Sequence, residues 1–229
     1  MDALAARRWR MPELPANDRW LRPFVVVAWL GVLTTAANTI VPAIVEAGVA
    51  GATAEALRAV RLPVLLAHSL ATLFPMLGLA LVGLRVSPFA AVVAAAVISI
   101  EKLLELVGFA LRVFPPEESF GGIAVSDVVA AAWDQLYFVL WTCNTIGAAA
   151  AGWMMWRLAP GARGKAFAAF AWSASATTLL MIAGPDYLAW PVPAPPMWLF
   201  FVLFTGYRVA IALALGRAQA LAPAARTAA

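Results

Sequence analysis

The stretch Ile98–Arg112, ISIEKLLELVGFALR, carries Glu101, Lys102 and Glu105 inside an otherwise apolar run. A carboxyl group held away from water can store, donate or pass a proton, and a nearby ammonium can neutralise it. Such charges are costly in hydrocarbon, roughly 2.5–3.5 kcal/mol each by insertion scales, so they mark a functional or a pairing site. At about 100° per residue, Glu101, Glu105, Gly108 and Arg112 fall in one narrow stripe of a helix. Lys102 lies to one side, at i,i+3 from Glu105 and within pairing reach. The expected arrangement is an acidic wall, with one carboxylate neutralised by Lys102 and the other free or protonated.

Further polar groups accompany this stripe. Asn38, His68 and Asp134 each interrupt an apolar run of their own. Trp141 falls on the stripe of Asp134 and Thr145, where an aromatic face beside a carboxylate suits a cationic amphiphile. The competing reading of Trp141 is ordinary aromatic packing. His68 is the only histidine; it can act as an acid/base opposite Glu101 or Glu105, or simply be a hydrogen-bonded bundle residue. Arg208, far from either end of its run, is expected to answer an acidic residue across the bundle. Cys143 is the sole cysteine, which excludes an intrachain disulfide and a cysteine metal cluster. No metal site and no cofactor is assigned. Walker A, HExxH and GxSxG patterns are absent.

The elements that position these groups follow from composition. The chain has 229 residues, of which 64% are hydrophobic and 12% charged. A soluble domain has about 25% charged residues. Several apolar runs exceed the ~18 residues needed to cross ~30 Å of hydrocarbon. Those runs do not alternate with period two, which argues against a barrel. The expected fold class is all-α, a polytopic bundle of six transmembrane helices. The predicted spans are 23–45, 62–84, 89–114, 126–157, 165–183 and 196–216. Residues 1–22 form a basic leading segment, 23–217 the transmembrane domain and 218–229 a tail. Residues 47–61 are expected to connect the first two spans as a short surface helix. Pro115–Ser119, PPEES, resembles the short acid motif of membrane carotenoid cyclases; standing alone, it reads as an exposed outer loop. Ala148 and Gly152 form a small-xxx-small pair that permits close helix packing.

Charge placement orients the bundle. Arg7, Arg8, Arg10, Arg19, Arg22, Arg85, Arg157, Arg163, Lys165, Arg217 and Arg226 fall on one side, against Arg58, Arg61 and Arg112 on the other. By the positive-inside rule both termini are cytoplasmic. In that orientation Glu101 sits near the midplane. Asn38, His68, Glu105 and Asp134 share the outer half. The basic residues flank apolar runs, so they signal topology and give no case for nucleic-acid binding.

The passages FPMLGLALVGLRVSP, VISIEKLLELVGF and RLAPGARGKAFAAFAW resemble an uncharacterised bacterial family of six-helix membrane proteins. That resemblance implies six helices in a bacterial inner membrane and brings no established chemistry. Lys102 departs from the family pattern.

The expected function is an integral membrane protein of the bacterial inner membrane, multi-pass, with an outward-facing polar pocket for a small amphiphilic or lipid-like ligand. Asn38, His68, Glu101, Lys102, Glu105, Asp134 and Trp141 would bind it. One alternative is a membrane-embedded isomerase or hydratase using Glu101, Glu105 and His68 as catalytic residues. Another is an accessory subunit whose charges pair with other membrane subunits. The last is a proton-coupled transporter. The expected partners are the lipid bilayer, the ligand and other membrane subunits.

Overall fold

The computed structural model describes residues 20–46, 54–113, 119–120, 123–158, 161–183, 188, 191 and 196–221. The side chains it describes lie within 20–37, 63–108, 135–158, 161–183 and 198–218, and at 188, 191 and 196. The expected basic segment up to residue 19, the PPEES loop up to residue 118 and the tail from 222 lie outside the described residues. So do the side chains of Asn38, Asp134 and Arg112.

Six helices follow in order: α1 Leu21–Glu46, α2 Ala54–Gly83, α3 Pro88–Val113, α4 Val125–Leu158, α5 Ala162–Ala183 and α6 Met197–Leu221. A two-residue antiparallel pair, β1 Ser119–Phe120 and β2 Ile123–Ala124, precedes α4. The fold is otherwise helical among the described residues. The 34 residues of α4 extend over about 51 Å at 1.5 Å per residue, well beyond the hydrocarbon core.

One helix start differs from the sequence reading. Residues 47–61 are expected to form a surface helix apart from the second span, which is predicted to begin at 62. Instead α2 starts at Ala54 and runs through Pro63 and Pro75 without interruption. The preceding AEALRAV is rich in strong helix formers, so the helix is already established before Pro63 removes one donor.

Consecutive helices pack side by side, and α1 against α6 closes the ring. α2 also touches α4 and α6, and α4 touches α6, so these three converge inside. The core joins a few large side chains, Met76, Leu79, Met154, Met155, Tyr207, Ile211 and Leu215, to many alanines. Alanine at a helix contact lets backbones approach closely, which strengthens dispersion where no hydrophobic drive exists. Gly31 is the extreme case: a Cβ there would run into the Ala71 carbonyl oxygen of α2.

The outer surface is apolar. Leu33, Leu70, Leu103, Val139, Leu179 and Val202, one from each helix, are all exposed. Among the described residues, Pro63–Gly83, Ala162–Ala183 and Trp198–Ala218 are long and apolar enough to cross a membrane, and Leu21–Ala37 is a shorter apolar stretch. Such lengths and such a surface belong to a membrane protein.

Candidate functional site

The polar centre is built around Lys102, midway along α3. Its Nζ lies 2.7 Å from Glu101 Oε1 and 2.7 Å from Glu105 Oε2. Asn144 of α4 donates from Nδ2 to Glu101 Oε1 at 3.1 Å. Ser69 of α2 donates from Oγ to Glu105 Oε2 at 3.2 Å. One ammonium thus joins two carboxylates, and a neighbouring helix clamps each of them. Glu101 and Lys102 are buried, while the Glu105 side chain keeps 22% of its surface exposed.

This corrects the expected acidic wall with one free carboxylate. The angular argument compared where side chains leave the helix, and adjacent positions diverge. Lysine has a flexible four-carbon stem, and its ammonium folds back between both partners. The i,i+3 pairing of Lys102 with Glu105 is as expected; the contact with its neighbour Glu101 is not.

Arg208 occupies the middle of the apolar span Trp198–Ala218 of α6. It is 5% exposed, and neither Nε nor Nη1 has a hydrogen-bond partner among the described residues. The expected ion pair with an acidic residue is not formed by these two nitrogens. Its guanidinium carbon lies 5.2 Å from the centre of the Tyr207 ring. Its charge acts on both Lys102 and His68, so it belongs to the same polar centre.

His68 places Nδ1 at 3.5 Å from Thr34 Oγ1 of α1, a long contact. It is not hydrogen-bonded to Glu101 or Glu105, the geometry that direct proton exchange with a carboxylate needs. Trp141 stacks on Tyr137 at 6.5 Å and meets Phe200 edge-on at 5.2 Å. Phe200 stacks on Phe204, which meets Tyr207 edge-on, so an aromatic row runs along α6 towards Arg208.

A second polar seam joins α4 to α5. Thr145 donates to Thr178 Oγ1 at 2.7 Å, and Ser175 donates to the Thr145 carbonyl at 2.8 Å. Trp172 lies over Gly152 and donates from Nε1 to the Ala149 carbonyl at 3.3 Å. Gly152 of the small-xxx-small pair therefore serves the α4–α5 contact. Cys143 is buried and free. Among the described residues no group of three His, Cys, Asp or Glu is placed to hold a metal ion.

Two members of the centre, Asn144 and Ser69, are not among the residues that the sequence reading assigns to the site. Each is a lone polar residue in an apolar span, and in a membrane such residues face the bundle interior. That signal finds them, but only the helix contacts show which carboxylate each one meets. A cavity of about 470 Å³ lies elsewhere, around Arg85, Arg157 and Lys165. Comparison of the chain with protein-family models, with curated proteins and with solved structures finds no match.

Proposed function

We propose that this is a six-span protein of the bacterial inner membrane, both termini cytoplasmic, whose intramembrane polar centre binds the acidic head of a small amphiphile. The observation that carries this reading is Arg208, a buried guanidinium at mid-span with two nitrogens that have no partner among the described residues. A buried donor left unsatisfied costs about 1–3 kcal/mol, and more when charged, so an acceptor oxygen placed there regains that energy. Lys102 already holds Glu101 and Glu105, so among the described residues these carboxylates do not serve the Arg208 donors, and an oxygen brought from outside can. The aromatic row Phe200, Phe204 and Tyr207 supplies an apolar wall for the tail.

The six-span topology is supported by the exposed apolar side chains on every helix and by the alternation of basic connections. The α2–α3 and α4–α5 turns, assigned to one side by charge, line a common cavity through Arg85, Arg157 and Lys165. Kinship with the uncharacterised six-helix family is part of the same reading and rests on the three passages quoted above. Entry from the outer side is supported by the positive-inside orientation, which puts His68 and Glu105 in the outer half.

The test compares a fluorescent fatty acid with its methyl ester, using protein in nanodiscs. The acid should bind at least about tenfold more tightly than the ester, and Arg208→Gln should abolish that preference. Equal binding of acid and ester by the unaltered protein would overturn the assignment.

A further inference from the structure

The charges of the α3 triad do not balance. Glu101 and Glu105 bring two negative charges, and Lys102 brings one positive charge. The hydrogen bonds from Asn144 and Ser69 steady the carboxylates but add no charge. One negative charge is therefore in excess. Among the described side chains of the polar centre, the remaining permanent charge is Arg208, which is 5% exposed and acts through space on Lys102 and His68. Arginine does not give up its proton in proteins. Triad and guanidinium together are neutral, two charges against two. A lone charge in a poorly solvated interior is costly, so this balance across the bundle lets both sides stay ionised.

An anion at Arg208 upsets that balance. Its charge occupies the guanidinium, and the excess charge of the triad loses its counter-charge. A proton taken up by the triad restores neutrality. Glu105 is the member suited to receive it. Its side chain is 22% exposed, whereas those of Glu101 and Lys102 are 5% exposed, so it is the one within easiest reach of water. Both described hydrogen bonds to Glu105, from Lys102 and Ser69, end on Oε2, so a proton on Oε1 displaces neither. The charged and titratable groups around it are Glu101 and Lys102 on α3, His68 on α2 and Arg208 on α6. Cys143 on α4 and Tyr207 on α6 lie within the field of Glu101.

We propose, building on the acidic-head reading above, that the site takes up its anion together with one proton, which Glu105 receives. The ligand class is thus a weak acid bound as two parts, the anion at Arg208 and the proton at Glu105. The pair adds no net charge to the membrane interior, where a net charge is costly. By linkage, each part strengthens the binding of the other.

The probe is a fluorescent alkanesulfonate, which stays ionised and brings no proton of its own. Its binding to the full chain in phosphatidylcholine nanodiscs is measured from about pH 6 to about pH 8, with Arg208→Gln as the background. The dissociation constant should rise about tenfold per pH unit, the slope for one linked proton. Glu105→Gln removes the excess charge permanently, so its binding should be independent of pH and tighter than that of the unaltered protein at the alkaline end. A merely structural role would instead weaken binding at every pH. His68→Gln should keep the tenfold slope. A flat profile in the unaltered protein, with binding still lost in Arg208→Gln, would overturn the proton coupling and leave the acidic-head reading standing. Absence of any Arg208-dependent binding would overturn both. The assignment to Glu105 fails if Glu105→Gln keeps the slope or binds no more tightly at the alkaline end, or if His68→Gln loses the slope.

Discussion

Lys102 holds two carboxylates with one ammonium, and each carboxylate takes a further hydrogen bond from another helix. Removing the shared cation leaves one buried and one partly buried carboxylate without their common counter-charge. Lys102→Met should therefore destabilise the fold by about 3–5 kcal/mol, the range for breaking a buried ion pair. Glu101→Gln should cost less, because Lys102 keeps Glu105. Unfolding of both variants in mixed detergent micelles checks the order, and a Lys102→Met protein as stable as the unaltered one would sink it. Arg208 differs in kind. Two of its nitrogens make no hydrogen bond among the described residues, which is the observation behind its proposed role in recognition.

At the scale of elements, the helices hold together through small residues at their contacts. The Gly31 contact with α2 involves a backbone carbonyl, whereas the Gly152 contact with α5 involves the Trp172 side chain. A carbonyl cannot swing aside, while an indole ring can tilt. Gly31→Ala should accordingly cost more than Gly152→Ala, at the upper and lower parts of a range of about 1–3 kcal/mol for overpacking. Thermal unfolding of the two variants, measured side by side, decides this. The three apolar spans were legible as sequence because apolar content and length suffice to define them. The start of α2 was not, because the helix formers before Pro63 extend it through a residue that often begins a helix.

Over its described spans the molecule is apolar outside and mostly apolar inside, with a small buried polar centre. Its charge asymmetry predicts the orientation. A carboxy-terminal green fluorescent fusion should fluoresce, and an alkaline phosphatase fusion at the same point should be inactive; the reverse pattern would refute a cytoplasmic tail.

The sequence by itself determined the helical membrane class, three long apolar spans and the identity of the charged helix. Those depend on the length and composition of continuous stretches, which no tertiary contact can alter. Tertiary structure decided the partners. It placed Asn144 and Ser69 on the two carboxylates, folded Lys102 between them, left two Arg208 nitrogens without a partner among the described residues and turned His68 towards Thr34. It also drew Arg85, Arg157 and Lys165, far apart in the chain, to one cavity. Such contacts depend on which helix faces lie together and how far flexible side chains reach, and neither is encoded in local spacing.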